Sequence, residues 1–222
     1  MFIANCTDNL QTNIYFTLFV KQPSIQNYYK MNFLAHLFVS HFNDDWMMGN
    51  MIADFIKKKE ETDFSEGIQQ GIKVHRMIDA FTDSHAVIRS GSHRIMPHFH
   101  KYSPVVVDIY YDYLLTKHWR EMANETLPDF TKRVYALFEA RMDEFPARLK
   151  KSLPNMIEHD WLSNYGTKSG LEFTFQKFEK RLSFDMPLDS APEVLLENID
   201  AFNADFKVFF PELMGFVRGI KF

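Results

Sequence analysis

The densest run of side chains able to do chemistry is His75-Arg76-Met77-Ile78-Asp79-Ala80-Phe81-Thr82-Asp83. On a helix, residues four apart share a stripe, about 6 Å apart along the axis at about 1.5 Å per residue. His75 and Asp79 can therefore hold one cation between an imidazole and a carboxylate. Asp83 stands about 12 Å from His75 along the axis, so it reaches the same ion only through a second site or a bridging water. Arg76 and Ile78 point away from that stripe, Ile78 toward the core. The plainer reading is an exposed polar stripe on an amphipathic helix, and spacing alone favours it.

Two further carboxylate pairs follow the same rule. Asp108 and Asp112 are one turn apart among Val105, Val106, Val107, Ile109, Leu114 and Leu115. Carboxylates so flanked are costly to bury unless paired or metal-bound, which tilts this pair toward function. His118 lies six residues beyond Asp112, faces another direction and reads as a hydrogen-bonded helix-end residue. Asn50 and Asp54 share a face behind Gly49, whose missing Cβ allows a close approach. His36, alone in the apolar segment 33–39, reads by itself as a satisfied core histidine. His41 lies about 140° around the helix from it, so the two cannot share an ion. His159-Asp160 is the sole His-Asp dipeptide in the sequence, with no second ligand at helical spacing, and it reads as surface. His93, His98 and His100, with Arg94 and Lys101, read as a solvated loop.

The elements that must position these residues are helical. Apolar spacing predicts helices over 33–42, 46–58, 65–82, 85–99, 104–122, 128–145, 147–164 and 168–182, with a last pair within 191–220. Ser103-Pro104 is an entry signal, a capping side chain followed by proline in the first turn, and Pro128, Pro146 and Pro211 fall where helices start or break. No segment alternates with period two for long enough to predict a sheet. The expected fold is all-α, a single-domain helical bundle. Glycines four apart at 67/71, 166/170 and 215/219 predict close packing or helix ends.

Of 222 residues, 46% are hydrophobic and 16% aromatic, 23 of them Phe, which predicts a ring-rich core. A formal net charge of −4 without a basic stripe argues against nucleic acid as a partner. The single cysteine, Cys6, excludes an intrachain disulfide and any multi-cysteine metal site. No apolar run approaches the roughly 18 residues that span a bilayer, so no membrane partner is expected; the single thiol makes a reducing cytoplasm the expected setting. Residues 1–30 carry only Asp8, Lys21 and Lys30 as charges and show no helical period. They read as an N-terminal extension, with Met31 as the functional start and 31–222 as the functional domain.

Taken in order, Met31 to Leu37, Gly49-Asn50 with Ala53-Asp54-Phe55, His75-Arg76 with Ile78-Asp79, Thr82-Asp83, Asp108 with Asp112, His118-Trp119, and Trp161-Leu162 with Tyr165 resemble the acyl-carrier-protein phosphodiesterase family. The resemblance implies hydrolysis of the phosphodiester that joins 4′-phosphopantetheine to a serine of holo-acyl carrier protein. It implies a bundle distantly related to the His-Asp metal phosphohydrolases, and a divalent cofactor, Mn²⁺ before Mg²⁺. His36, His75, Asp79 and Asp108 become the expected metal ligands, with Asp83 as a further one. Asp54 and Asp112 become proton-transfer groups, and Arg76 the cation nearest to a bound phosphate. Acyl carrier protein is acidic, so Lys57, Lys58 and Lys59, or Arg94 with Arg89 and Lys101, become the expected docking patch. The competing readings are a phosphohydrolase acting on nucleotides or other small phosphodiesters, and a non-catalytic helical module that binds the carrier.

Overall fold

The computed structural model describes residues 33–180, 182 and 186–222; the extension 1–30 and the expected start at Met31 lie outside them. Twelve α-helices and no strands occur among the described residues. They are α1 (Phe33–Val39), α2 (Asp44–Ile52), α3 (Glu66–Ser84), α4 (Ala86–Phe99), α5 (Ser103–Lys117), α6 (Trp119–Met122), α7 (Leu127–Ala140), α8 (Ala147–Glu158), α9 (Trp161–Asn164), α10 (Lys168–Glu179), α11 (Ala191–Glu197) and α12 (Ile199–Arg218). The fold is the expected helical bundle.

Local chemistry sets the ends of the helices that matter here. Asn43 caps α2 by accepting from the Trp46 N–H at 3.0 Å, and Asp44 and Asp45 complement the positive end of that helix. Ser65 caps α3, whose buried stripe Ile68, Ile72, His75, Ile78 and Thr82 recurs at helical spacing. The start of α1 is closed from outside its own sequence. Asp112 of α5 accepts from the Leu34 and Ala35 N–H groups at 3.2 and 2.8 Å, satisfying donors that a helix start leaves without partners.

The crossing of α2 and α3 depends on Gly49 and Gly71. A Cβ at Gly49 would sit 2.4 Å from the Ile68 carbonyl oxygen and 2.5 Å from the Gly71 Cα. Any larger residue at 49 would force the two helices apart. That contact brings the Asn50–Asp54 segment against the His75–Asp79 face.

The core is as ring-rich as the composition predicts. Phe202, Phe206, Phe209 and Phe210 of α12 are buried, Phe206 stacking on Phe210 at 4.8 Å and meeting Tyr111 of α5 edge-on at 5.7 Å. The Tyr110 hydroxyl donates to the Ala191 carbonyl and ties α5 to the start of α11.

Several expected bounds are corrected. The span 104–122 divides at His118, and 147–164 divides where Asp160 adopts φ 43°, a left-handed conformation no helix can pass through. Helix 46–58 ends at Ile52, and one tight turn, Ala53–Phe55, carries Asp54. Pro211 neither starts nor ends a helix but sits inside α12. Ser103 is not a cap: its hydroxyl donates back to the His100 carbonyl at 2.8 Å. His93 and His98 belong to α4 rather than a loop, and His100 ends that helix with φ 47°.

Candidate metal centre

Two helices, α1 and α3, and the turn after α2 contribute to one small cluster. Imidazole nitrogens of His36 from α1 and His75 from α3, with a carboxylate oxygen of Asp79 from α3, lie within 4.8 Å of one another. The Asp79 carboxylate bridges the two rings, Oδ1 at 3.5 Å from His36 Nε2 and Oδ2 at 3.5 Å from His75 Nε2. Asp54, on the turn after α2, places Oδ1 at 3.3 Å from the same His75 Nε2. The two imidazoles stack with centroids 4.4 Å apart. Both histidines are buried, while the Asp79 and Asp54 side chains are 26% and 17% exposed and open the cluster to solvent on the carboxylate side.

The carboxylate–imidazole separations within the set are close to those of donors arranged around an ion. Ligands at about 2.1 Å from a common cation stand about 3.0 to 3.4 Å apart along the edge of an octahedron or tetrahedron. Spacings of 3.3 to 3.5 Å match such edges with slight relaxation and are long for direct charge-assisted hydrogen bonds. Two imidazoles and carboxylates suit a divalent ion of intermediate hardness. The donor set therefore fits the expected cofactor class. The space between Phe33, His36, Leu37, Asn50, Met51, Asp54 and His75 is too narrow for a water-sized sphere.

The remaining expected site residues fall elsewhere. Asp108 is buried but is not a member of the three-residue cluster; its charge acts on Asp112 and Tyr111. Asp112 stands behind the site rather than in it, fully buried with both oxygens on the start of α1. Burial holds its carboxyl well above the usual range, outweighing the Ala35 and Leu34 N–H bonds, and the nearby Asp108 charge adds to the rise. Its two oxygens anchor the start of the helix that carries His36. Asp83 is exposed one turn beyond Asp79.

Arg76 is committed as well. Its guanidinium donates to both oxygens of Glu61, from Nη1 to Oε2 at 2.9 Å and from Nη2 to Oε1, which lowers the Glu61 carboxyl. Arg94 donates to Asp205 at 2.7 Å and lies over the Phe202 ring at 4.9 Å, so it is not an unpaired docking cation. Lys57, Lys58 and Lys59 are exposed directly after the Asp54 turn. His118 ends α5, its Nδ1 2.9 Å from Glu121 and its Nε2 2.9 Å from Asn203.

Sequence reasoning missed two partners. Glu61 meets Arg76 across fifteen positions, which no helical spacing signals. Asn50 meets His36 through Oδ1 and Nδ1 at 3.0 Å, and only its shared face with Asp54 hinted at a place near the site.

A helical bundle that converges two imidazoles and two carboxylates on one solvent-facing edge has the donor chemistry of a metal-assisted hydrolase. Residues 31–213 match the family model described as acyl carrier protein phosphodiesterase. The chain belongs to the acyl carrier protein phosphodiesterase family, and so to the phosphoric diester hydrolases. A Yersinia pestis relative of that name is 29% identical over 136 residues, 61% of this chain and 70% of its own length. One from Enterobacter sp. (strain 638) is 25% identical over 185 residues, covering 83% of this chain and 96% of its own. Another, from Pectobacterium atrosepticum, is 24% identical over 189 residues, covering 85% and 98%. No solved structure matches the chain.

Proposed function

We propose that this chain hydrolyses the phosphodiester between 4′-phosphopantetheine and the serine of holo-acyl carrier protein, with Mn²⁺ at the His36–His75–Asp79 centre. The observation that carries this reading is the convergence of three ligand atoms within 4.8 Å in a chain of this family. When bound, a divalent ion supplies Lewis acidity toward a phosphoryl oxygen and toward water. His36 and His75 offer neutral nitrogen donors from buried, stacked positions, and Asp79 offers a carboxylate to both at once.

Asp54 is the proposed proton acceptor. It shares His75 Nε2 with Asp79 but comes from a different segment, and it keeps a solvent-facing edge on which an attacking water can sit. Attack on phosphorus then expels the serine oxygen, which takes up a proton to leave the apo carrier.

Lys57, Lys58 and Lys59 lie three to five residues past Asp54 and supply positive charge next to the site on a chain of net charge −4. They are the proposed docking patch for the acidic carrier, acting through the electrostatics of encounter. The carrier substrate also favours a cytoplasmic setting, and no helix of the described residues is long and apolar enough to cross a membrane. The functional domain is proposed as 31–222, supported by a family match that spans 31–213.

Incubation of the protein with holo-carrier and Mn²⁺, followed by intact mass measurement, should show loss of the phosphopantetheine mass. Parallel nucleotide and small phosphodiester substrates should turn over far more slowly. Preferential turnover of those substrates, or an unchanged carrier mass, would refute the reading.

A further inference from the structure

The amide of Asn50 is held in one orientation by a second hydrogen bond. Its Nδ2 donates to the Trp46 carbonyl one turn earlier at 3.0 Å, while its Oδ1 lies 3.0 Å from His36 Nδ1. Turning the amide over would set its oxygen against the Trp46 carbonyl oxygen, two acceptors face to face. With Oδ1 toward the ring, Nδ1 of His36 is the donor. A neutral imidazole then carries its proton on Nδ1 and its lone pair on Nε2. Nε2 is the atom that faces Asp79 at 3.5 Å. A lone pair opposite a carboxylate at that distance is unfavourable unless a cation, a metal ion or a proton on Nε2, stands between them.

Asn50 itself is 2% exposed and follows Gly49, whose Cα side packs directly on Gly71 of α3. The helix crossing that assembles the centre therefore also fixes the amide that orients one of its rings.

We propose that Asn50 is a positioning residue: it holds His36 in the Nδ1–H tautomer and fixes the plane of the ring, so that Nε2 presents its lone pair to a divalent cation shared with His75 and Asp79. This rests on the metal-centre reading above. Such outer partners of histidine ligands change metal affinity by about 10–100-fold when removed.

Two measurements on the full chain test it. The first is nitrogen-15 NMR of the histidine rings in metal-free protein, with His36 assigned by the signals lost in His36→Gln. The expected signature is a proton on Nδ1, whether or not Nε2 also holds one opposite Asp79 in the absence of metal; an Nδ1 without a proton would overturn the proposal. The second is Mn²⁺ affinity in Asn50→Leu, which keeps volume but removes the acceptor, and Asn50→Asp, whose carboxyl, protonated toward the Trp46 carbonyl, keeps an acceptor toward Nδ1. Asn50→Leu should bind Mn²⁺ about 10–100-fold more weakly, and Asn50→Asp should recover most of that loss with the His36 signature intact.

Wild type that binds no Mn²⁺ saturably sinks the metal centre and this inference with it. Wild type that binds, alongside a folded Asn50→Leu of equal affinity, sinks the inference alone. Should Asn50→Leu fail to fold, the tautomer in wild type and in Asn50→Asp decides the matter.

Discussion

Two regions of this molecule pair histidine with aspartate, and they do it in opposite ways. At the α1–α2–α3 corner His36, His75, Asp79 and Asp54 come from three separate segments, and each carboxylate comes within 3.3 to 3.5 Å of an imidazole nitrogen. At the α8–α9–α10 end His159 and Asp160 are adjacent in the chain. There His159 Nδ1 stays within 3.0 Å of its own helix at the Asn155 carbonyl, and Asp160 caps α9 through the Ser163 N–H at 3.3 Å. This second region borders the larger cavity, about 430 Å³ lined in part by Trp161, Tyr165, Phe173 and Lys177. Cavity size and sequence adjacency both point to the second region, but donor atoms converge only in the first. A metal centre needs atoms aimed at one point, and that is a property of helix packing rather than of neighbouring letters.

Removing donors from each region separates their roles. His75→Ala or Asp79→Ala should lower turnover of holo-carrier by about 10³-fold or more, because several kcal/mol of charge stabilisation are lost. His159→Ala and Asp160→Asn should stay within about twofold, as expected for surface changes. Steady-state kinetics on the four variants, with circular dichroism to confirm folding, makes the test. Equal losses in the two regions would erase the distinction drawn here.

Glycine substitutions sharpen it further. Gly49→Ala puts a Cβ 2.4 Å from a backbone oxygen, and should cost about 1–3 kcal/mol of stability while also lowering activity by spreading α2 from α3. Gly170→Ala meets the Asn164 carbonyl oxygen at 1.8 Å and should destabilise comparably but leave kcat of the folded fraction unchanged. Gly215→Ala, with nothing within 4 Å of its Cβ in the interior of α12, should stabilise by about 0.5–1 kcal/mol. Thermal unfolding and kcat on the same preparations separate these three outcomes.

A smaller effect should appear with pH. The Asp112 carboxyl is raised by burial, so the native state binds its proton more tightly than the unfolded chain, whose carboxyl titrates near about 3.9. Stability from this group is therefore present at low pH and falls as pH rises toward the native value, by at most about 1.4 kcal/mol per pH unit. Unfolding free energies of wild type minus Asp112→Asn should decline between pH 4 and neutrality; a difference that grows with pH would contradict this. Smallest of all, reversing Lys57, Lys58 and Lys59 to Glu should slow carrier association by about tenfold at low salt. That deficit should fade at high salt while kcat at saturating carrier is kept.

Much of the fold could be read from apolar spacing, because helices bury one stripe against a common core and that stripe recurs every three to four residues. The errors fell where one residue overrides the period, as Asp160 does with its positive φ and Pro211 does by being accommodated within α12. The site was legible only in part. His75 and Asp79 share a helix, so spacing exposed them. His36 stood alone on an apolar segment because its partners sit on other helices, and the family resemblance rather than spacing singled it out. Asp112 looked functional because a buried carboxylate needs a partner, yet the partner is the backbone of α1, which no side-chain pattern records. Asp108 was grouped with the ligands, while in the structure the three converging groups are His36, His75 and Asp79.

His36, His75 and Asp79 are proposed to hold the divalent ion on which hydrolysis would depend. Titration of the metal-free protein with Mn²⁺, followed by the loss of free-ion electron paramagnetic signal, tests it most directly. Saturable binding in wild type that disappears in His75→Ala and Asp79→Ala but persists in His159→Ala is the expected result. Binding that survives in His75→Ala and Asp79→Ala, or that never saturates in wild type, would contradict the account.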